Sequence, residues 1–282
     1  MRGKIAVVTG ANAGIGRATA AALADLGAEV VMACRSEARG QAALDALLTV
    51  PGRRISLMRL DLADLASVAA FSRAFQARYE RLDVLVNNAG MLGRRRALSR
   101  DGHEMQFQVN YLGHFLLTMR LLPLLEKAPQ GRVVMLSSLA HRWTKLRLED
   151  PGFETGYGRM RAYGHSKLCA LLFCRYLARL LSERGSRVTI NAAHPGVVAS
   201  DIVIDRGNDG LRWVARLSRA VLLSPRQGAK TSVFLAADDG LASVSGEYFH
   251  RCRIARSSPA SQNMEDAARL FAMSRALVAD YL

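Results

Sequence analysis

Tyr163 and Lys167 are the residues of this chain whose types and spacing best suit proton-transfer chemistry. They lie four positions apart in a stretch with apolar residues at helical spacing, so we expect both side chains on one helix face. A free phenol has a pKa of about 10 and is a poor acid or base at neutral pH. A fixed positive charge nearby favours the phenolate and lowers that pKa. Such pairs are common on solvated helices, so the meaning of this pair depends on the elements that position it.

Short apolar runs alternate with helical patterns along the whole chain. This alternation predicts βαβ units and a parallel sheet in one doubly wound α/β domain over residues 1–282. The predicted strands are 5–9, 28–33, 55–60, 84–87, 133–137, 188–193 and a last one near Tyr248. The predicted helices include 37–48, 65–79, about 103–125, the stretch around Tyr163, 226–237 and a tail helix from 265.

Composition excludes several other classes of protein. The chain has 282 residues, half of them apolar, and a net charge of +15. The arginines are scattered, with one run of three at 94–96, and no nucleic-acid-binding motif accompanies them, so we expect no nucleic-acid partner. The cysteines lack metal-ligand spacing, so no metal site is predicted. A strand begins almost at once and no apolar run could span a membrane, so we expect a cytoplasmic protein.

Turn-forming or polar residues follow six of the predicted strands. The carboxyl ends of parallel strands share one edge of the sheet, and ligands bind at that edge. These residues are the glycine-rich turn 10–16, Arg35, Asp61 with Leu62, the segment 87–90, Ser138, and Pro195 with Gly196.

The glycine-rich turn has the context that a dinucleotide site requires. Gly10, Gly14 and Gly16 follow a strand and precede a helix, whose N-terminal N–H groups favour a pyrophosphate. At the end of the second strand, an acidic residue is typical of NAD binding, whereas arginine pairs with the 2′-phosphate of NADP. Arg35 occupies this position and no acid precedes Glu37. The sequence therefore favours NADP(H), with NAD(H) as the alternative.

These motifs, in this order and spacing, resemble the short-chain dehydrogenase/reductase family over nearly the whole chain. Within that family the likeness is to the retinol dehydrogenase-like group. The resemblance implies a Rossmann fold with a predominantly parallel seven-stranded sheet flanked by helices. It is carried by Thr9-Gly10-(three residues)-Gly14-Ile15-Gly16, Asn87-Asn88-Ala89-Gly90, the segment 109–118, Ser137-Ser138-Leu139-Ala140-His141, Tyr163-(three residues)-Lys167 and His194-Pro195-Gly196-Val197-Val198.

The resemblance also implies a catalytic tetrad of Asn110, Ser138, Tyr163 and Lys167. Tyr163 would exchange a proton with the carbonyl or alcohol oxygen, and Ser138 would hydrogen-bond that oxygen. Lys167 would lower the pKa of the phenol and hold the nicotinamide ribose. Asn110 would hold a water that links Lys167 to solvent. Ser137 is the competing serine, and Ser138 is preferred because in the family the serine that closes the strand faces the substrate.

Further contacts follow from the same resemblance. Ser138, His141 and Trp143 are expected to touch the substrate, whereas His165 and His194 are expected to be structural or rim residues. The expected cofactor contacts are Gly10, Asn12, Ala13, Gly14, Ile15, Gly16, Arg35, Asp61, Leu62, Asn87, Ala89, Gly90, Tyr163, Lys167, Pro195, Gly196, Val198 and Ser200.

Two segments without a role in cofactor binding, 139–162 and 201–224, are expected to wall the substrate. The second has apolar residues at helical spacing and is interpreted as a lid, with a peripheral membrane contact as the alternative. The expected function is an NADP-dependent oxidoreductase acting on a carbonyl/alcohol pair of a bulky apolar small molecule. Reduction of a C=C bond, as in protochlorophyllide reductase-like relatives, and a non-catalytic NADP-binding sensor are the alternatives. Monomer and homo-oligomer are both compatible with the sequence.

Overall fold

Parallel strands form the centre of the protein, and β-branched and other apolar residues fill most of them. The computed structural model describes residues 1–196 and 223–282, and these residues contribute an eight-stranded sheet. Its strand order is β3-β2-β1-β4-β5-β6-β7-β8, with only the last pair antiparallel. The strands are β1 Ile5–Thr9, β2 Glu29–Cys34, β3 Arg54–Arg59, β4 Val84–Asn87, β5 Arg132–Leu136, β6 Thr189–His194, β7 Tyr248–His250 and β8 Arg253–Ile254.

Helices cover both faces of the sheet. The fourth helix, α4, has three consecutive pieces, namely Met105–Phe107, the π-helical Gln108–Leu112 and Gly113–Lys127. The other helices are α1 Gly14–Asp25, α2 Glu37–Leu48, α3 Leu65–Arg78, α5 Arg159–Glu183, α6 Pro225–Ala237 and α7 Met264–Leu277. Short 3₁₀ turns lie at Leu139–Trp143, Asp239–Leu241, Pro259–Gln262 and Ala279–Tyr281.

The sheet separates two hydrophobic cores. Buried residues of α1, α2 and α6 pack on one face, and those of α3, α4, α5 and α7 pack on the other. Phe115 of α4, Phe173 of α5 and Phe271 of α7 form an aromatic cluster with ring centres 4.9 Å, 5.3 Å and 6.3 Å apart. Each such pair contributes roughly 0.5–1.5 kcal/mol beyond its buried area. This cluster holds α5, which carries Tyr163 and Lys167, against its neighbours.

The predicted α/β architecture is confirmed, but the predicted count of seven strands is wrong. The chain reverses at Arg251 and Cys252, both with positive φ (51° and 60°), and β8 then pairs antiparallel with β7. Two-residue hairpins with positive φ normally use glycine or asparagine. Arg251-Cys252 lacks that signature, so the sequence pattern did not indicate the turn.

The predicted helix at about 103–125 is interrupted. Residues Gln108–Leu112 adopt a π-helical turn, and Asn110 lies inside it. Such single π-helical turns occur mostly within α-helices and often at functional sites. The apolar periodicity of this stretch predicted a helix but did not indicate the change of pitch.

Some predicted features lie outside the described residues. These are Val198, Ser200 and nearly all of the expected lid at 201–224. Across residues 1–196 and 223–282, we find no helix with the length and apolar character needed to cross a bilayer.

Candidate active site

The glycine-rich turn lies at the point where the strand order reverses between β1 and β4. Gly10 and Gly14 have positive φ angles of 65° and 53°, which favour glycine. A Cβ on Gly16 would lie 2.4 Å from Gly10 O and 2.4 Å from Asn88 Nδ2, and one on Gly10 would lie 3.0 Å from Ala89. Side chains at positions 10 and 16 would therefore clash with these atoms, because the ends of β1 and β4 pack directly against each other at the turn.

Helix α1 begins at this turn without a side-chain cap. Its N-cap residue, Ala13, offers no acceptor, and the first turn holds no acidic residue. The first N–H groups of the helix therefore have no side-chain partner. Such groups, together with the helix dipole, are suited to bind a phosphate.

Thr9 and Asn88 join the two strand ends beneath the turn. Thr9 Oγ1 accepts hydrogen bonds from Asn88 N and Ala89 N, both at 2.9 Å, and Asn88 Nδ2 donates to Thr9 O at 2.8 Å. Neither Thr9 nor Asn88 was among the predicted site residues. The sequence signals for Asn88 are its position directly after β4 and its place in the motif Asn87-Asn88-Ala89-Gly90.

Asn87 was predicted to contact the cofactor, but the structure places it elsewhere. Its side chain is buried in the core, where Nδ2 donates to Thr118 Oγ1 at 2.8 Å and contacts Met135 Sδ at 3.0 Å. Successive residues of a strand face opposite sides, so only one of two adjacent asparagines could face the turn. That residue is Asn88.

The two serines at the end of β5 have different surroundings. Ser137 Oγ donates to Lys167 O at 3.1 Å and is buried, so it links β5 to α5. Ser138 is half-buried beside Tyr163, and its Oγ accepts from Ala140 N at 3.3 Å. This arrangement agrees with the preference for Ser138 over Ser137 as the residue that faces a reacting group.

Tyr163 and Lys167 lie on α5 and line the same cavity as Ser138. Lys167 Nζ donates to Leu136 O at 2.9 Å and lies 5.8 Å from the centre of the Tyr163 ring. Burial lowers the pKa of the lysine ammonium to about 8. Burial also raises the pKa of the Tyr163 phenol, and a hydrogen bond with the Ser138 side chain opposes that shift only in part.

That Lys167 lowers the pKa of Tyr163 therefore stays a prediction. In this structure, desolvation by burial is the larger effect and raises the pKa of the phenol, and the Lys167 ammonium bonds to a backbone carbonyl rather than to the phenol. A phenol with a raised pKa remains protonated at neutral pH.

Asn110 is buried and its side chain bonds to other protein groups. Oδ1 accepts from Met91 N at 2.7 Å, while Nδ2 donates to Met91 O at 3.0 Å and to Ser166 Oγ at 2.9 Å. Ser166 Oγ in turn donates to Tyr163 O at 2.7 Å. A Cβ on Gly90 would lie 3.2 Å from Asn110 Oδ1 and 3.4 Å from Lys167 Nζ, so both side chains reach this glycine. The described contacts thus make the Asn110 side chain a support for Tyr163, and the water that Asn110 was expected to hold stays a prediction.

The cavity at this edge has a volume of about 540 Å³. It extends from the glycine-rich turn to Tyr163, and so joins the predicted cofactor and catalytic residues in one space. The predicted residues that line it are Gly10, Asn12, Ala13, Gly14, Ile15, Gly16, Ala89, Gly90, Ser138, Trp143, Tyr163, Lys167, Pro195 and Gly196.

Besides Asn87 and Asn110, four predicted residues lie away from the cavity wall. Arg35 is exposed directly after β2, beyond the lining residues. Asp61 Oδ1 accepts from Ala63 N at 3.0 Å, and Leu62 is buried against α4, where a Cβ on Gly113 would lie 2.8 Å from Leu62 O. The fourth is His141, which was expected to touch substrate. It is fully buried with both ring nitrogens bonded inside the protein, and this explains why it does not reach the cavity.

Several lining residues were missed by sequence reasoning. Leu92 is one of them, an apolar loop residue for which periodicity gives no indication of a pocket, whereas Leu139 and Met160 belong to the segment 139–162 that was expected to wall the substrate. His194 was interpreted as structural or rim, and it does line the wall; burial lowers the pKa of its imidazole to about 4. Asn88 and Leu136 were also missed, Ser137 had been named only as the competing serine, and Ala140 and Arg159 belong to the segment 139–162.

No group of three or more histidine, cysteine or acidic side chains in residues 1–196 and 223–282 could hold a metal ion.

The fold is a doubly wound α/β fold with a glycine-rich turn and a cavity at the point where its strand order reverses, and comparison with known proteins gives the family. The model of the short chain dehydrogenase family matches residues 4–210. The chain belongs to this family, whose chemistry is the interconversion of CH–OH and C=O groups. It is similar to retinol dehydrogenase 11 of Homo sapiens, with 41% identity over 273 residues that cover 96% of this chain and 85% of the relative. It is also similar to dehydrogenase/reductase SDR family member 13 of Bos taurus, with 44% identity over 284 residues covering 98% and 74%.

Solved structures show the same fold. A crystal structure of a protein from Mycobacterium Paratuberculosis matches with a TM-score of 0.80 and 33% identity, covering 99% of this chain and 94% of that one. A short chain dehydrogenase from Shigella flexneri complexed with NADP matches with a TM-score of 0.69 and 26% identity, covering 90% and 98%. The resemblance to the retinol dehydrogenase-like group is therefore confirmed at the level of the family and its named relatives.

Proposed function

We propose that this protein is an NADP-dependent oxidoreductase that interconverts the carbonyl and alcohol forms of a bulky apolar small molecule. One observation carries the proposal. Ser138, Tyr163 and Lys167 line the same 540 Å³ cavity as the glycine-rich turn. A pocket that only bound a nucleotide would not need a phenol and a serine hydroxyl side by side next to a buried ammonium.

The glycine-rich turn fits the pyrophosphate of a dinucleotide. Gly10 and Gly16 let the ends of β1 and β4 pack closely at the turn, and the uncapped start of α1 offers backbone N–H groups that suit a pyrophosphate. When bound, the nicotinamide supplies or accepts the hydride. Lys167, with a pKa of about 8, is largely charged at pH 7 and is the group suited to hold the nicotinamide ribose hydroxyls.

Tyr163 is the proposed proton donor and acceptor. Its pKa is raised by burial, so the phenol is protonated at neutral pH and can donate to a carbonyl oxygen as that oxygen gains negative charge. Ser138, which contacts the phenol, would donate a hydrogen bond to the same oxygen. Asn110 supports this arrangement through Ser166, which bonds to Tyr163 O.

The preference for NADP rests on Arg35 and on a related protein. Arg35 is exposed at the carboxyl end of β2, where the adenosine ribose of a dinucleotide is expected, and its guanidinium suits a 2′-phosphate. The structurally similar protein from Shigella flexneri was crystallised with NADP.

The proposed substrate is apolar because the open side of the cavity is apolar. Leu139, Trp143 and Met160 line the cavity and are 41%, 64% and 45% exposed. Large apolar side chains with this exposure are suited to contact an apolar ligand. The names of the relatives, which include retinol dehydrogenases, are in keeping with such a substrate.

The test is Tyr163→Phe, assayed by NADPH oxidation against a panel of aldehydes and ketones that includes long apolar ones. Loss of the proton donor should reduce turnover by roughly 10²–10⁴-fold, while the Kd for NADPH stays within about twofold. Tyr176→Phe is the matched control, since Tyr176 lies on the same helix but packs on Phe271. It should retain full turnover.

Three results would contradict the proposal. Normal turnover by Tyr163→Phe would remove the tyrosine from the mechanism. NADPH binding by the unaltered protein without turnover of any carbonyl would indicate the sensor. Products that keep their carbonyl but lose a conjugated C=C bond would indicate the alternative reductase.

A further inference from the structure

His141 joins the loop that carries Ser138 to a distant part of the chain. It is fully buried in the 3₁₀ turn Leu139–Trp143. Its Nδ1 lies 2.6 Å from Ser138 O, and Ser258 N donates to its Nε2 at 3.0 Å. The two residues that it bridges are 120 positions apart along the chain, so this imidazole makes a connection that local structure could not make.

These contacts determine the tautomer of His141. A backbone N–H can only donate, so Nε2 must present its lone pair to Ser258 N. A neutral imidazole then carries its proton on Nδ1, which donates to Ser138 O. Burial lowers the pKa of His141, with the positive charges of Arg142 and Arg175 acting in the same direction, which agrees with a neutral ring.

The carbonyl oxygen of Ser138 thereby accepts two hydrogen bonds from His141. It accepts from His141 N at 3.2 Å and from His141 Nδ1 at 2.6 Å. Ser138 Oγ also accepts from Ala140 N at 3.3 Å, within the same turn. Fixing the carbonyl limits rotation of the Ser138 backbone, and so limits the direction in which its hydroxyl can point.

The far side of the bridge is itself anchored to the helix that bears Tyr163. Ser261 Oγ donates to Ser258 O at 2.6 Å and bonds to Ser257 Oγ at 2.8 Å. Arg175 Nη2 of α5 donates to Ser257 Oγ at 3.1 Å. All three serines are buried. A continuous set of hydrogen bonds therefore runs from Ser138 through His141 and this serine turn to α5.

We propose that His141 is a positioning residue, which holds Ser138 in register with Tyr163 by donating from Nδ1 to Ser138 O while Ser258 N–H fixes its tautomer. The inference rests on the proposed function, because it gives Ser138 the role of orienting the reacting oxygen. It assigns no contact between His141 and substrate.

Two substitutions separate the two bonds of the imidazole. Asparagine places an amide N–H donor where Nδ1 lies, and glutamine places an amide oxygen where Nε2 lies. His141→Asn should keep the donor to Ser138 O and lower kcat by no more than about threefold. His141→Gln should keep the acceptor for Ser258 N but lose that donor, and lower kcat by roughly 10–100-fold, because displacement of a reacting group by about 1 Å can cost 10²-fold. The Kd for NADPH should change by less than twofold in both variants.

Ser258→Pro tests the bridge without changing the histidine. Ser258 has a φ of −69° and a ψ of 152°, a backbone conformation open to proline, but the ring Cδ takes the place of the N–H and meets His141 Nε2, so the imidazole must shift as it loses its partner. The change removes the N–H that selects the tautomer, so kcat should fall by several fold. Long-range ¹H–¹⁵N correlation spectra should show the Nδ1-protonated tautomer of His141 in the unaltered protein and its loss in Ser258→Pro.

The outcomes distinguish this inference from the proposed function. If Ser138→Ala leaves kcat unchanged, the proposed role of Ser138 fails. If Ser138→Ala lowers kcat but His141→Gln does not, the positioning role of His141 fails. An Nε2-protonated tautomer in the unaltered protein would overturn the inference directly, whether or not the His141 variants fold. Equal losses of kcat in His141→Asn and His141→Gln would reduce His141 to a packing role.

Discussion

Replacing Gly164 with alanine would add a methyl group between Tyr163's helix and the loop that carries Ser138. A Cβ at this position would lie 2.6 Å from Ala140 O, a backbone atom, whereas ordinary contact begins at 3.4 Å. Relief of the clash requires the Leu139–Trp143 turn to move by about 0.8 Å. Ala140 N bonds to Ser138 Oγ, so the serine should move with the turn.

The expected result is a loss of turnover in a folded protein. A displacement of about 1 Å can reduce the rate by 10²-fold, so we expect kcat to fall by roughly 10–100-fold. Overpacking lowers the free energy of unfolding by about 1–3 kcal/mol. The higher helix propensity of alanine relative to glycine offsets roughly 0.5–1 kcal/mol of that loss. The variant should therefore remain folded at 25 °C with a lower melting temperature. Its Kd for NADPH should be unchanged, since the glycine-rich turn lies at another strand end.

The assay is steady-state NADPH oxidation with the best substrate of the carbonyl panel, alongside a thermal melt and an NADPH titration. Gly152→Ala is the matched control, because a Cβ there meets nothing closer than Arg96 Nη2 at 3.6 Å. If Gly164→Ala kept kcat within twofold of the unaltered protein, the register between the Ser138 loop and α5 would not govern turnover.

Two further predictions concern cofactor choice and acid stability. Arg35→Asp should shift the preference from NADP toward NAD, measured as the ratio of kcat/KM for the two cofactors, and an unchanged ratio would remove Arg35 from cofactor selection. Burial lowers the pKa of His114 to about 3 and of His165 and His194 to about 4. In the unfolded chain the imidazole pKa values are near 6.5, so below about pH 6.5 the unfolded state binds more protons than the folded state. The free energy of unfolding is therefore highest above about pH 6.5 and falls as the pH drops toward 4. Each of these histidines should lower the free energy of unfolding by about 2 kcal/mol at pH 5 relative to pH 7. Urea unfolding at both pH values should show this loss of stability, and His165→Gln should make the loss smaller.

The architecture was largely predictable from sequence because it depends on local periodicity. Helix Glu37–Leu48 and strand Val84–Asn87 have the predicted bounds, and most other elements agree within one or two residues. The eighth strand and the π-helical turn at Gln108–Leu112 were not predicted. The first forms through a reversal at Arg251 and Cys252 that lacks hairpin residues, and the second is a change of pitch that apolar spacing does not reveal.

The sequence by itself determined the order of the elements, the glycine-rich turn and the four-residue spacing of Tyr163 and Lys167. These depend on residue type and on positions close along the chain. Only the tertiary structure decided that Asn88 rather than Asn87 faces the turn, and that His141 bonds to Ser258 rather than lining the cavity. These outcomes depend on which strand or turn packs against each residue.

The direction of the Tyr163 pKa shift was also decided by the tertiary structure. The sequence places a positive charge near the phenol, which alone would lower the pKa. The folded chain buries that phenol at the wall of the cavity and directs the Lys167 ammonium to Leu136 O. Desolvation depends on segments far apart in the sequence, so spacing along one helix could predict the pair of residues but not their proton affinities.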